Sequence, residues 1–169
     1  MMSSATLLKF IHQRNIHAKL LTNIGHTPTV SAAAQALGVH PDQVIKTLLF
    51  EIEKPSVLER VVVIGYGEHK VDKKLLGEVV GVGKKHIAMA QASTVLMVLG
   101  YIAGGVPPFG HRTTLPVILD AGVLKYVVSN RSPAEVMVYG GGGDDYTMME
   151  LSVGELVRVT QPSIHVLSK

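Results

Sequence analysis

The chain of 169 residues contains no cysteine, which excludes disulfides, thiol catalysis and cysteine-ligated zinc. Tryptophan is absent as well, and aromatic residues make up only 5% of the composition, so aromatic stacking cannot dominate the core. Charged residues are sparse at 17%, yet they are spaced so that no uninterrupted apolar run is long enough to cross a bilayer. The amino terminus, Met-Met-Ser-Ser-Ala-Thr-Leu-Leu-Lys-Phe-Ile-His, has neither a long apolar region nor a cleavage site. No secretory signal or membrane association is therefore expected, and a cytoplasmic address follows. The eight histidines include no pair four residues apart, so neither a metal nor another cofactor is expected. A dinucleotide fingerprint is missing too. The segment Gly65-Tyr66-Gly67-Glu68-His69-Lys70 puts lysine where its third glycine belongs, and it reads as a turn.

What remains is the signature of a folded chain. Hydrophobic content is 47%, enough for a single domain spanning residues 1–169 with a substantial core. The net charge is only +3, but its distribution is uneven. Lys70, Lys73, Lys74, Lys84 and Lys85, flanked by His69 and His86, face only Asp72 and Glu78 over that stretch. Such a cluster either contacts phosphates or simply solvates a helix face.

Periodicity predicts alternating helices and strands. Residues 4–14 read as helix and Ala18–Thr22 as strand; Thr29 or Ser31 caps a helix that Gly38 ends. Pro41 opens a short helical turn before strand character from Lys46 to Glu51. Val61–Ile64 and Ile87–Ala90 read as strands, Val71–Val80 and Ala92–Leu99 as helices. Three strands are expected at 117–119, 126–128 and 135–139, then a strand at 146–151, a helix starting at Ser152, and a loose tail over 163–169.

Residues 100–111 read Gly-Tyr-Ile-Ala-Gly-Gly-Val-Pro-Pro-Phe-Gly-His. Gly104 and Gly105 offer bare backbone amides, and Pro107 and Pro108 stiffen the segment while removing two competing donors. A loop of that kind suits either an ordinary surface turn or an oxyanion clamp. The run Gly140–Gly143 precedes Asp144 and Asp145, which would repel phosphate, so it reads as a tight turn or as a neutral backbone wall of a small pocket. Residues 32–47 also carry the pattern of a helix-turn-helix, which makes a nucleic-acid-binding regulator the alternative. That alternative requires residues 47–52 to be helical, where strand propensity rises instead.

The order Thr29-x-x-Ala32-Ala33, Leu37-Gly38-Val39, Lys46-Thr47-Leu48 and Gly100-Tyr101-x-x-Gly104-Gly105-Val106-Pro107-Pro108-Phe109-Gly110, followed by the late glycine run, resembles the YbaK and prolyl-tRNA-synthetase-associated editing-domain family. The resemblance runs from about His26 to Thr160. It implies an α/β (α+β) fold, with a mixed, largely antiparallel sheet curved into a barrel-like core and surrounded by helices. It also implies a freestanding aminoacyl-tRNA deacylase that hydrolyses the ester of a tRNA mischarged with a small amino acid. On this resemblance Lys46 lies near the terminal phosphate or adenosine, and the amides of Gly104 and Gly105 lie near the ester carbonyl. Thr29, Thr47, Val106, Pro107, Pro108, Gly141 and Gly142 would line the substrate, and the lysine cluster would dock the tRNA. No protein nucleophile is needed, because a water assisted by the substrate's own ribose hydroxyl performs the attack. The implied partners are a mischarged aminoacyl-tRNA, tRNA-Pro among the candidates, and a transient complex with an aminoacyl-tRNA synthetase. An inactive tRNA-binding adaptor is a further reading. Some relatives have a small polar residue where this chain has the glycine run, so alanyl, cysteinyl, seryl and threonyl groups all remain open.

Overall fold

Helix α1 (Ser4–Gln13) begins the chain, and its buried residues Leu7 and Ile11 are four apart, one above the other on a single face. These details come from a computed structural model, which describes residues 1–127 and 131–169. Strand β1 (Ala18–Leu21) leads to α2 (Val30–Leu37), where the Thr29 hydroxyl accepts from Ala32 N and Gly38 closes the helix in the left-handed region. After a 3-10 turn at Pro41–Gln43, strands β2 (Ile45–Lys54) and β3 (Val57–Tyr66) form a long antiparallel hairpin. Helix α3 (Lys73–Val80), capped by Asp72, then leads through a 3-10 turn (Lys84–His86) to β4 (Ile87–Met89) and α4 (Ala92–Leu99). The remaining elements are β5 (Val117–Asp120), a 3-10 turn (Ala121–Leu124), β6 (Met137–Gly141), β7 (Met148–Ser152), α5 (Val153–Thr160) and β8 (Ser163–His165).

Two sheets result. One has strand order β4-β2-β3-β5-β8, with β5 parallel to both β3 and β8 and the other pairs antiparallel. The other, β1-β7-β6, is antiparallel throughout. The fold is thus mixed and largely antiparallel, as the resemblance implies, but the two sheets do not close into a barrel among the described residues. They approach where Val44, just before β2, bridges Tyr139 of β6. Because β4 pairs only with Phe50–Ile52, it leaves the first residues of β2 uncovered on that side. That gap matters for function.

Three expectations need correction. Residues 163–169 are not a loose tail: β8 pairs with β5, and Leu167 is fully buried beside Phe50, Ile52 and Leu76. The carbonyl of Leu167 accepts from Asp72 N at 2.7 Å, and the Ser168 hydroxyl donates to Asp120 Oδ2 at 2.6 Å. Backbone pairing and a single anchor hold this segment, and neither leaves a periodic pattern. Tyr126 and Val127 lie in a turn in which Val127 N donates to Leu124 O, and Val128 falls outside the described residues. Residues 47–52 lie within β2, so the helix-turn-helix alternative loses its recognition helix. In addition, no helix among the described residues is long and apolar enough to cross a membrane.

A buried carboxylate ties the segment before β1 to the helix that follows β7. Glu155 of α5 accepts from His17 N at 2.5 Å and from both Nε and a terminal nitrogen of Arg158, at 2.5 and 2.8 Å. The Arg158 fork and the His17 amide pull its carboxyl from 4.5 down to about 2. A carboxylate lowered on folding stabilises the protein above its unfolded pKa, and that contribution disappears as pH falls through the folded value. Glu155→Gln should therefore lower Tm at neutral pH, with the difference from wild type shrinking between pH 4.5 and about 2. A difference that does not change over this acid range, followed by thermal melts, would contradict the assignment.

Candidate active site

The uncovered start of β2 opens onto a cavity of about 230 Å3, lined among others by Thr29, Ala33, Lys46, Thr47, Gly104, Val106, Gly141 and Met148. Five stretches contribute: the start of α2, the start of β2, the Gly-Pro loop, the end of β6 and the start of β7. Thr27, Pro28, Val30, Val44, Ile45 and Leu48 complete the wall, and most of these are apolar. Thr29 carries two roles, since its oxygen also caps α2.

Among the described residues, Lys46 is the only charged side chain lining the cavity. Its ammonium donates to the carbonyl of His69 at 2.7 Å. Burial lowers its pKa; Asp120 and Glu68 oppose that shift, and Lys70 adds to it. Of the segment Gly65–Lys70, read as a turn, Gly67 and Glu68 do turn, while Gly65 helps to position this lysine. Gly65 is not in a turn but near the end of β3, directly opposite Lys46 in the register. A Cβ on Gly65 would sit 3.2 Å from the Lys46 Cε, so glycine is what lets the stem lie across the neighbouring strand.

The carbonyl that receives Lys46 is itself held. His69 Nε2 donates to Asp42 Oδ1 at 3.1 Å, and its ring stacks on Tyr66 with centroids 4.4 Å apart. Burial alone would raise the Asp42 pKa, but hydrogen bonds from Lys125 and His69 hold its carboxyl below the usual range. Asp42, His69 and Gly65 form a support that sequence reasoning missed. No periodic pattern marks it, because the contacts join the turn before β2 to the end of β3.

The Gly-Pro loop divides its residues between tasks. Gly104, at φ +92°, and Val106 face the cavity, and among the described residues neither N–H has a hydrogen-bond acceptor. Gly105 was expected to donate alongside Gly104, but its N–H already donates to Ile102 O at 3.0 Å and its carbonyl accepts from Gly143 N at 2.9 Å. It is buried and locks the loop onto the glycine run. Pro107 and Pro108 do not line this cavity either. The Pro107 carbonyl accepts from His111, and Pro108 borders a separate cavity. Of the glycine run, Gly141 forms part of the wall, whereas Gly142 N donates to Thr147 O and closes the β6–β7 connection. Asp120 accepts from the neighbouring backbone, Gly122 N, at 3.0 Å.

The five clustered lysines are all exposed. Lys73 and Lys74 occupy the first turn of α3, where the helix dipole disfavours cations, so helix stability does not account for them. Lys84 and Lys85 lie in the following 3-10 turn, and Lys70 is near enough to Lys46 to influence its charge.

Comparison with known proteins agrees with this architecture. The aminoacyl-tRNA editing domain family matches residues 25–157, and the chain belongs to that family. A crystal structure provisionally assigned as a trans-editing enzyme for prolyl tRNA synthetase is 27% identical, with a TM-score of 0.83 over 98% of this chain and 96% of that one. The crystal structure of the hypothetical protein APE2540 is also 27% identical, with a TM-score of 0.79 over 97% and 99% of the two chains. A scaffold from computational epitope grafting shares the fold at 24% identity, with a TM-score of 0.81 over 98% of this chain and 96% of that one.

Proposed function

We propose that the protein is a deacylase that hydrolyses the ester of a tRNA mischarged with a small amino acid. The observation that carries this reading is the convergence of Lys46, Thr47, Gly104, Val106 and Gly141 on one small cavity. In this reading the Lys46 ammonium holds the terminal phosphate or adenosine of the acceptor end. The Gly104 and Val106 amides point at the ester carbonyl, where they stabilise the oxyanion as water attacks the carbonyl carbon. The carbonyl–oxygen ester bond then breaks, the terminal ribose oxygen leaves as a hydroxyl, and the amino acid departs as its carboxylate. Help from the substrate's ribose hydroxyl in activating that water fits the lack of any cysteine in the chain. The cavity's volume of about 230 Å3 and its largely apolar lining favour a short aminoacyl side chain. A tRNA-Pro substrate, a transient complex with a synthetase and a cytoplasmic setting complete the proposal.

The test is single-turnover deacylation of alanyl-, seryl-, cysteinyl- and threonyl-tRNA, with tRNA-Pro among the carriers. Hydrolysis of at least one above the spontaneous rate is expected. Failure on all of them, with tRNA still bound, would favour the inactive adaptor.

The lysine cluster gives a separate expectation. Changing Lys70, Lys73, Lys74, Lys84 and Lys85 to Gln should weaken tRNA binding and flatten its salt dependence, because each lost phosphate contact removes about 0.7 to 0.9 from the log–log slope. Turnover at saturating tRNA should persist. Equal slopes for variant and wild type would make the cluster a solvated face.

A further inference from the structure

On the far side of the Gly-Pro loop lies a larger cavity of about 390 Å3, between the end of α1, the end of α5 and residues 108–117. It shares no lining residue with the Lys46 cavity, so the activity proposed above leaves it unused. Its volume is within the range of about 300–1,000 Å3 usual for small-molecule sites. An engineered cavity of about 150 Å3 already admits benzene, so a ring and a further group fit here.

The lining identifies the chemistry. Phe10 and Phe109 are stacked, with centroids 5.9 Å apart, and Ile16, Leu115 and Val117 extend the apolar wall. Among the described residues, two arginines and no carboxylate line the cavity. Arg158 is committed to Glu155, but Arg14 pairs with no carboxylate among the described residues, and its guanidinium lies 4.9 Å from the Phe10 ring centroid. An unpaired guanidinium beside a ring surface suits an anion whose body is flat and apolar.

The same cavity touches the loop. His111 lines it and donates through Nε2 to the Pro107 carbonyl at 2.6 Å, since a carbonyl can only accept. Pro107 follows Val106, which faces the other cavity. A ligand against Pro108, Phe109 and His111 therefore presses on the segment that carries the proposed oxyanion donors.

We propose that this cavity binds a small phosphate- or carboxylate-bearing molecule with a planar apolar ring, and that its occupancy is felt by the Gly104–Val106 loop. The binding half stands independently of the deacylase reading; only the functional meaning of the coupling rests on it.

Phenyl phosphate is the probe, with inorganic phosphate and phenol as half-ligands, followed by amide NMR of the full-length protein. The Lys46→Met variant is used throughout, so that anion capture by the other cavity cannot mimic the result. The expected result is saturable shifts at Arg14, Gly110, Thr114 and Val159, with an affinity about tenfold or more above either half-ligand. Smaller shifts at Gly104 and Val106 should follow the same curve. Arg14→Gln should weaken binding about tenfold, because the exposed guanidinium supplies the charge and not the packing. No saturable shift up to about 10 mM, a scale at which any useful affinity would register, would overturn the site. So would shifts centred on Thr29 and Thr47, or equal binding by the Arg14 variant. Binding with unmoved Gly104 and Val106 resonances would overturn the coupling.

Discussion

Lys46→Met is expected to lower single-turnover deacylation on the order of 100-fold, because losing the charge that fixes the acceptor end misplaces the ester against the loop amides. Methionine keeps an unbranched stem that can still lie across Gly65, so Tm and the far-ultraviolet spectrum should change little. Loss of activity with an intact fold would then report on the ammonium alone. An unchanged rate would remove Lys46 from the chemistry. The pH profile supplies an independent check. Burial lowers the Lys46 pKa from 10.5, so its ammonium is present at low pH and is lost at a lower pH than that of an exposed lysine. The catalysed rate, after subtracting spontaneous ester hydrolysis, should therefore decline on the alkaline side before pH 10.5, and the residual rate of the variant should lack that decline. Asp42→Asn should move the same limb, because it loosens the His69 carbonyl that holds Lys46. A merely structural Asp42 would change Tm without shifting the profile.

Gly141→Ala is expected to be nearly as damaging for a different reason. The added Cβ would sit 2.3 Å from the Val106 oxygen and 2.9 Å from the Gly105 carbonyl carbon. Both are backbone atoms of the Gly-Pro loop, so no flexible side chain can move aside. Either the loop is displaced or β6 is, at an overpacking cost of about 1–3 kcal/mol. Displacement of the loop misplaces the Gly104 and Val106 amides, for which an error of about 1 Å can cost on the order of 100-fold in rate. Gly104→Ala is the informative comparison. Its Cβ would meet nothing within 4 Å, but φ of +92° strains any side-chain-bearing residue. Gly104→Ala should thus lower Tm by backbone strain, whereas Gly141→Ala should lower both Tm and turnover through steric contact. Wild-type Tm and turnover in Gly141→Ala would show that the loop does not abut β6 as described.

The glycine run explains itself only with this packing in view. In sequence it reads as a turn or a neutral wall, and Asp144 and Asp145 argue against a phosphate cradle. Its closest engagement, however, is with a loop more than thirty residues earlier, since Gly143 N donates to Gly105 O and Gly141 leaves space for Val106. Gly65 is a similar case. The local pattern suggests a turn, and the reason for the glycine is the lysine on the neighbouring strand. The terminal segment leaves no periodic signal because Ser163–His165 is exposed along its length and is held by main-chain pairing to β5.

Local chemistry was sufficient where one short stretch contains both cause and effect. Thr29 and Gly38 bracket α2 because one supplies a capping oxygen and the other adopts a left-handed backbone. The apolar, β-branched stretch around Val61–Ile64 had to be a buried strand, and the absence of cysteine excluded thiol chemistry whatever the fold. The ordered motifs, taken together, also brought the editing family into view. Only the tertiary structure decided which groups share a cavity: Lys46, Gly104, Val106 and Gly141 inside it, Pro107, Pro108 and Gly142 behind or beyond it. It also decided that Gly105 spends its amide on Ile102 and that the His69 carbonyl, braced by Asp42, holds the lysine. Capping and strand propensity act over a few residues and are written locally, whereas hydrogen-bond partners and cavity walls depend on which distant backbones meet, and that is settled only when the two sheets pack.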